Sequence, residues 1–96
     1  MKSLNQYAFK RVAADGQVNG TSPCNVMAIL LYGGAAATKA EFHNAVDATG
    51  THMFECNTII GQSHFIDFRE LGGVYFSTAC YVDLTGAGGV ACVWYA

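Results

Sequence analysis

Any reactive or metal-binding site in this chain would have to be built from four cysteines, three histidines and a thin scatter of carboxylates. Cys24, Cys56, Cys80 and Cys92 form no C-x-x-C pair and show no short metal-ligand spacing. Cys56, Cys80 and Cys92 fall at expected inward strand positions, where a free thiol behaves as a small hydrophobe. His43, His52 and His64 lack tight spacing such as H-x-H and would converge only if neighbouring strands aligned them, so they read as surface or loop residues. Gln62-Ser63-His64 is not a G-x-S-x-G elbow, and a strand sends adjacent Ser and His side chains to opposite faces. A glycosidase-like pair such as Glu55 with Asp67 would need its carboxyls roughly 5–9 Å apart in a cleft, and the spacing does not promise that. The expectation is no catalytic residue, no metal, no cofactor and no enzyme.

The segments that would carry these residues read as short strands. Residues 74–79, 80–84 and 90–95 form a C-terminal trio. In its second member Cys80, Val82 and Leu84 share one face and Tyr81 and Asp83 the other, the period-two alternation of a half-buried strand. Thr85-Gly86-Ala87-Gly88-Gly89 supplies a tight reversal. The last strand is apolar on both faces, with Val90, Cys92 and Trp94 on one and Ala91, Val93 and Tyr95 on the other, so both are covered or one awaits a partner.

Earlier in the chain, residues 4–12 read as an edge strand mixing charge and aromatics. Residues 13–23 read as a long connection, although Asp15-Gly16 and Asn19-Gly20 also fit a folded-over arm. Residues 24–32, CNVMAILLY, follow Pro23 and stop at Gly33-Gly34, which favours a central strand over a helix. Residues 38–46 alternate, with Ala40 and Phe42 inward, Val46 in phase with them, and Lys39, Glu41, His43 and Ala45 outward. Residues 51–59 place Phe54, Cys56 and Thr58 inward and Met53, Glu55 and Asn57 outward. Residues 64–70 place Ile66 and Phe68 inward and Asp67 and Arg69 outward. No segment holds helical periodicity over three turns. The pattern predicts one all-β domain over residues 1–96, a jelly-roll-like antiparallel sandwich or barrel of about seven or eight strands.

Charged residues are 12 % of the chain, about half the usual share, and too few to cover the outside of a domain this small. The net charge of −2 leaves no footprint for nucleic acid, and no apolar run of about twenty residues spans a bilayer. Met1-Lys2 followed by Ser3, Asn5 and Gln6 does not read as a secretory leader, so synthesis in a cytoplasm is expected. Low charge and two-faced apolar strands fit self-assembly. The expected interface is Tyr7, Phe9 and Arg11 of the first strand, Met27, Ile29 and Leu31 on the second face of the central strand, the outward Tyr75 and Tyr81, and Val93 and Tyr95 at the end.

The order of features resembles that of small virion proteins of tailed bacteriophages. The resemblance runs from Ala14-Asp15-Gly16-Gln17-Val18, through the apolar strand 26–32 and the turn Asp47-Ala48-Thr49-Gly50-Thr51, to residues 76–86, FSTACYVDLTG, and the closing valine- and aromatic-rich strand. Ala79 departs from a pattern that prefers glycine there, and the cysteines are additional. The resemblance implies a structural role on a virion made in a bacterial host, as capsid decoration (cement) or as a head–tail or tail accessory part, without saying which. Together with the self-assembly reading, the expectation is a capsid decoration protein, a homotrimer against the major capsid protein or another virion protein. A head–tail or tail accessory part, or a small glycan- or host-surface-binding module, is the alternative.

Overall fold

The structure is a computed structural model, described from Lys2 to Ala96; Met1, the first residue of the leader reading, lies outside the described residues. Nine strands are present among them: β1 (Ala8–Val12), β2 (Gly16–Gln17), β3 (Cys24–Tyr32), β4 (Thr38–Asn44), β5 (Thr51–Thr58), β6 (Ser63–Asp67), β7 (Val74–Phe76), β8 (Cys80–Thr85) and β9 (Val90–Tyr95). Two single 3₁₀ turns, Leu4–Gln6 and Arg69–Leu71, complete the regular structure.

The strands form two antiparallel sheets, β1-β9-β3-β6 with β7 added on β3, and β2-β8-β4-β5. The pairs β1–β9, β2–β8, β3–β6 and β4–β5 nest inside one another. This is the connectivity of a jelly roll, a long hairpin rolled into two facing sheets. The Cα extents of 31 × 31 × 17 Å match two such layers.

Between the sheets lies one core. Val26, Ile29, Leu31 and Val93 of the first sheet meet Ala40, Phe42 and Val82 of the second, all with no exposure. Phe42 stacks on Phe54 with centroids 4.8 Å apart, and Phe54 makes edge contacts with Phe68 at 5.6 Å and Phe76 at 6.1 Å. Such pairs add to the stabilisation from area burial alone.

One irregularity and one choice of face reverse expectations drawn from strict alternation. In β3 the register against β9 slips between Val26 and Ala28, making Met27 an extra residue. Cys24 and Val26 therefore face the core before the bulge, and Ile29 and Leu31 face it after. Met27, Ile29 and Leu31 are buried within the chain, with exposures of 6 %, 0 % and 0 %, and are not an interface. In β9 the inward face is Ala91, Val93 and Tyr95. Val93 is fully buried, Tyr95 packs against the core, and Cys92 stands on the opposite face, the reverse of its expected inward position.

Other differences are local. The first strand begins only at Ala8, because Leu4–Gln6 is a 3₁₀ turn held by a capping box from Ser3 to Gln6. The connection 13–23 is a folded-over arm: Gly16 and Gln17 pair with Val82 and Tyr81. Asp15 Oδ1 accepts a bond from the Leu84 amide at 2.7 Å, and the Gln17 side chain donates to the Val46 carbonyl at 2.9 Å. Val46 lies beyond the end of β4 and is 42 % exposed rather than inward. Strand β7 stops at Phe76, three residues short of the expected end. Residues 68–70 leave the strand, since Gly72 (φ 79°) closes the 3₁₀ turn in a left-handed conformation that glycine adopts without penalty.

Candidate functional site

The two outward faces of the sandwich differ sharply. On the first sheet the register places Phe9, Trp94, Ala28 and Asp67 in one cross-strand row, with Arg11, Cys92, Leu30 and Phe65 in the next. Trp94 sits at the centre, its ring centroid 5.2 Å from that of Phe9 and 6.3 Å from that of Phe65. Phe9, Phe65 and Tyr32 remain 51 %, 47 % and 44 % exposed. An aromatic cluster spanning four strands is a patch that a folded chain normally buries against another surface.

Of the expected interface residues, Phe9 and Arg11 belong to this face, and Tyr7 stands half-buried just before β1. Tyr75 is 61 % exposed on β7. Tyr81 is outward and half-buried on β8 of the other sheet, so Tyr75 and Tyr81 do not share a surface. Trp94, Phe65 and Leu30 complete the patch without having been expected in it. For Leu30 the signal lay in the bulge at Met27, which swaps the faces of β3 and which no periodicity reveals; Trp94 lies on a strand apolar on both faces, and Phe65 is in phase with the outward Asp67.

The outward face of the second sheet is polar and carries three cross-strand rows. Thr85, Lys39 and Asn57 form the first; Asp83, Glu41 and Glu55 the second; Tyr81, His43 and His52 the third. A second bulge, between Phe42 and His43 in the β4–β5 register, leaves Met53 as the extra residue of β5. His52 and Glu55 thereby share a face despite their odd spacing. The ligand atoms of Glu41, His52 and Glu55 all lie within 4.8 Å of one another. His52 Nε2 is 3.7 Å from Glu41 Oε2, and Lys39 Nζ is 3.7 Å from Glu41 Oε1.

His43, expected outward and exposed, is only 7 % exposed. Its Nδ1 lies 3.3 Å from the Gly50 carbonyl oxygen, while its Nε2 has no partner. A carbonyl only accepts, so Nδ1 donates, and in a neutral ring Nε2 is then the acceptor. The ring centroid of His43 is 5.4 Å from that of His52. His64 belongs to the other sheet, with Nδ1 3.2 Å from the Asn57 carbonyl oxygen.

The remaining candidates stay apart. Glu55 and Asp67 are on different sheets, and Asp67 is held by Arg69 at 2.7 Å. Ser63 and His64 are successive residues of β6, opposite Tyr32 and Leu31 respectively. All four thiols are free. Cys56 is pushed up to about 11, by burial first and the neighbouring Glu55 charge second. Cys80 is also raised, by its hydrogen bond with Cys24 and by burial; both thiols are buried in the core, where they pack as small hydrophobes.

No family model, curated protein or solved structure matches this chain.

Proposed function

We propose that this chain is a structural virion protein of the capsid decoration kind, acting as a self-associating building block. The observation that carries the reading is the aromatic outward face of the first sheet, Phe9, Trp94, Phe65, Leu30 and Tyr32. A charge-poor chain that leaves this face uncovered gains by burying it. Fully burying one large apolar side chain contributes about 1.5–3 kcal/mol, and these are already about half covered, so each adds roughly 1 kcal/mol per subunit. The expected arrangement is a trimer on a shell protein, the face of each copy meeting its neighbours. The resemblance of its turn and strand motif order to that of small phage virion proteins supports a structural role on the particle. Jelly rolls also recur in viral capsids, although that fold serves lectins as well.

The test is the mass of the purified protein by light scattering, together with Trp94 fluorescence. Near three times 10.2 kDa is expected, with blue-shifted emission. Phe65→Asp, at an exposed position, is expected to yield a folded monomer with red-shifted Trp94. A wild-type monomer at tens of micromolar with solvent-exposed Trp94 would overturn the reading, as would a folded Phe65→Asp protein that still assembles.

A further inference from the structure

The polar face of the second sheet plays no part in burying the aromatic patch. We propose that Glu41, His52 and Glu55 form a binding site for a divalent transition-metal ion of the Zn²⁺ type.

Three independent features converge there. The first is donor geometry: one imidazole and two carboxylates whose ligand atoms all lie within 4.8 Å of one another. Zn–N and Zn–O bonds of about 2.0–2.2 Å place tetrahedral donors on the order of 3.4 Å apart. Closing that gap calls for rotation of three side chains, of which His52 and Glu55 are exposed and Glu41 half-exposed. The bulge at Met53 aligns this set, and bulges are a recurrent device for re-aiming a side chain at a site.

The second feature is charge. Asp83, Glu41 and Glu55 stand side by side on adjacent strands, an arrangement in which like charges directly opposite destabilise a sheet. Within salt-bridge distance of this row among the described residues stand Lys39 and His52, both 3.7 Å from Glu41. A dication between Glu41 and Glu55 removes the repulsion that these two leave.

The third is His43. It is more than nine-tenths buried, its Nε2 lacks a partner, and its ring lies beside that of His52. Its Nδ1–H points to the Gly50 carbonyl, the backbone anchoring that metal-bound histidines commonly show. A second imidazole thus stands beside His52, one of the three donors. The mixed nitrogen and oxygen set favours Zn²⁺ or a neighbouring first-row ion over Mg²⁺ or Ca²⁺, which prefer oxygen alone.

Calorimetric titration of the full chain with Zn²⁺ alone tests this. One ion per chain is expected, with no competition from millimolar Mg²⁺. Glu55→Gln and His52→Ala, both at exposed positions, are each expected to weaken binding at least about 10-fold while the far-ultraviolet dichroism stays unchanged. Running the same titration on Phe65→Asp separates this site from assembly, because the two faces lie on different sheets; affinity there should be unchanged. Absence of saturable binding at about 1 mM Zn²⁺ would overturn the proposal. So would undiminished affinity in the Glu55→Gln/His52→Ala double variant, or loss of binding in Cys92→Ser, which would assign the ion to a thiol.

Discussion

Asp67 and Arg69 show how little sequence separation an ion pair needs when a turn intervenes. Asp67 accepts from Arg69 Nε at 2.9 and 3.1 Å, from Nη2 at 2.7 Å and from the Arg69 amide at 3.0 Å. Arg69 Nη1 also donates to the Lys2 carbonyl at 2.9 Å, tying the start of the chain to the end of β6. The Arg69 side chain, then its amide, lowers the Asp67 carboxyl from 3.8 to about 2. A carboxyl depressed in the folded state stabilises fully above its unfolded value and loses that contribution as pH falls through the folded one. The pair's share of stability is therefore complete above about pH 4 and disappears toward pH 2. Urea unfolding midpoints at pH 5 and pH 2.5 should show Asp67→Asn less acid-sensitive than wild type. An identical acid dependence in the two proteins would show that the pair contributes nothing to this window.

At the scale of elements, the two bulges decide what each sheet face displays. Without the one at Met27, β3 would turn either Cys24 and Val26 or Ile29 and Leu31 away from the core. With it, all four are buried and Leu30 and Tyr32 join the outward aromatic patch. Leu31, expected at an interface, is a core residue with no exposure. Leu31→Asp is accordingly expected to unfold the protein rather than merely dissociate it. A buried unpaired carboxylate costs more than about 4 kcal/mol, a large part of the total stability of a domain this size. Loss of the cooperative thermal transition would show it; a folded monomer instead would place Leu31 back on the surface. The bulge at Met53 has the same kind of consequence on the other sheet, where it sets His52 beside Glu55.

For the whole molecule, the nested pairing brings the distant β1 and β9 together and leaves β1 at one edge of the first sheet and β6 with β7 at the other. One broad face is aromatic and the other charged, so an assembly held through the first should respond to salt in a specific way. Exposed ion pairs are screened within a Debye length of about 10 Å at 0.1 M salt, whereas apolar burial is not. The assembled mass is expected to be the same or higher in 1 M sodium chloride than in 0.05 M. Dissociation on raising the salt would mean that charges such as Lys39 and Glu41, rather than Trp94 and Phe65, hold the copies together.

Much of the architecture was legible before folding. Alternation in β4, β5 and β8, the exact span of β3 between Pro23 and Gly33, and the glycine-rich reversal before β9 specify antiparallel strands and an all-β domain, because side-chain period and turn chemistry are local properties. Phe42, Phe54, Cys56, Cys80 and Val82 could be assigned inward for the same reason. Tertiary structure alone settled which of two apolar faces is covered in β3 and β9, and which polar residues become neighbours in space. Periodicity labels two faces without saying which one meets the opposing sheet. A single extra residue exchanges them, and only the pairing of strands far apart in sequence places Glu41 beside Glu55 and His43 beside His52.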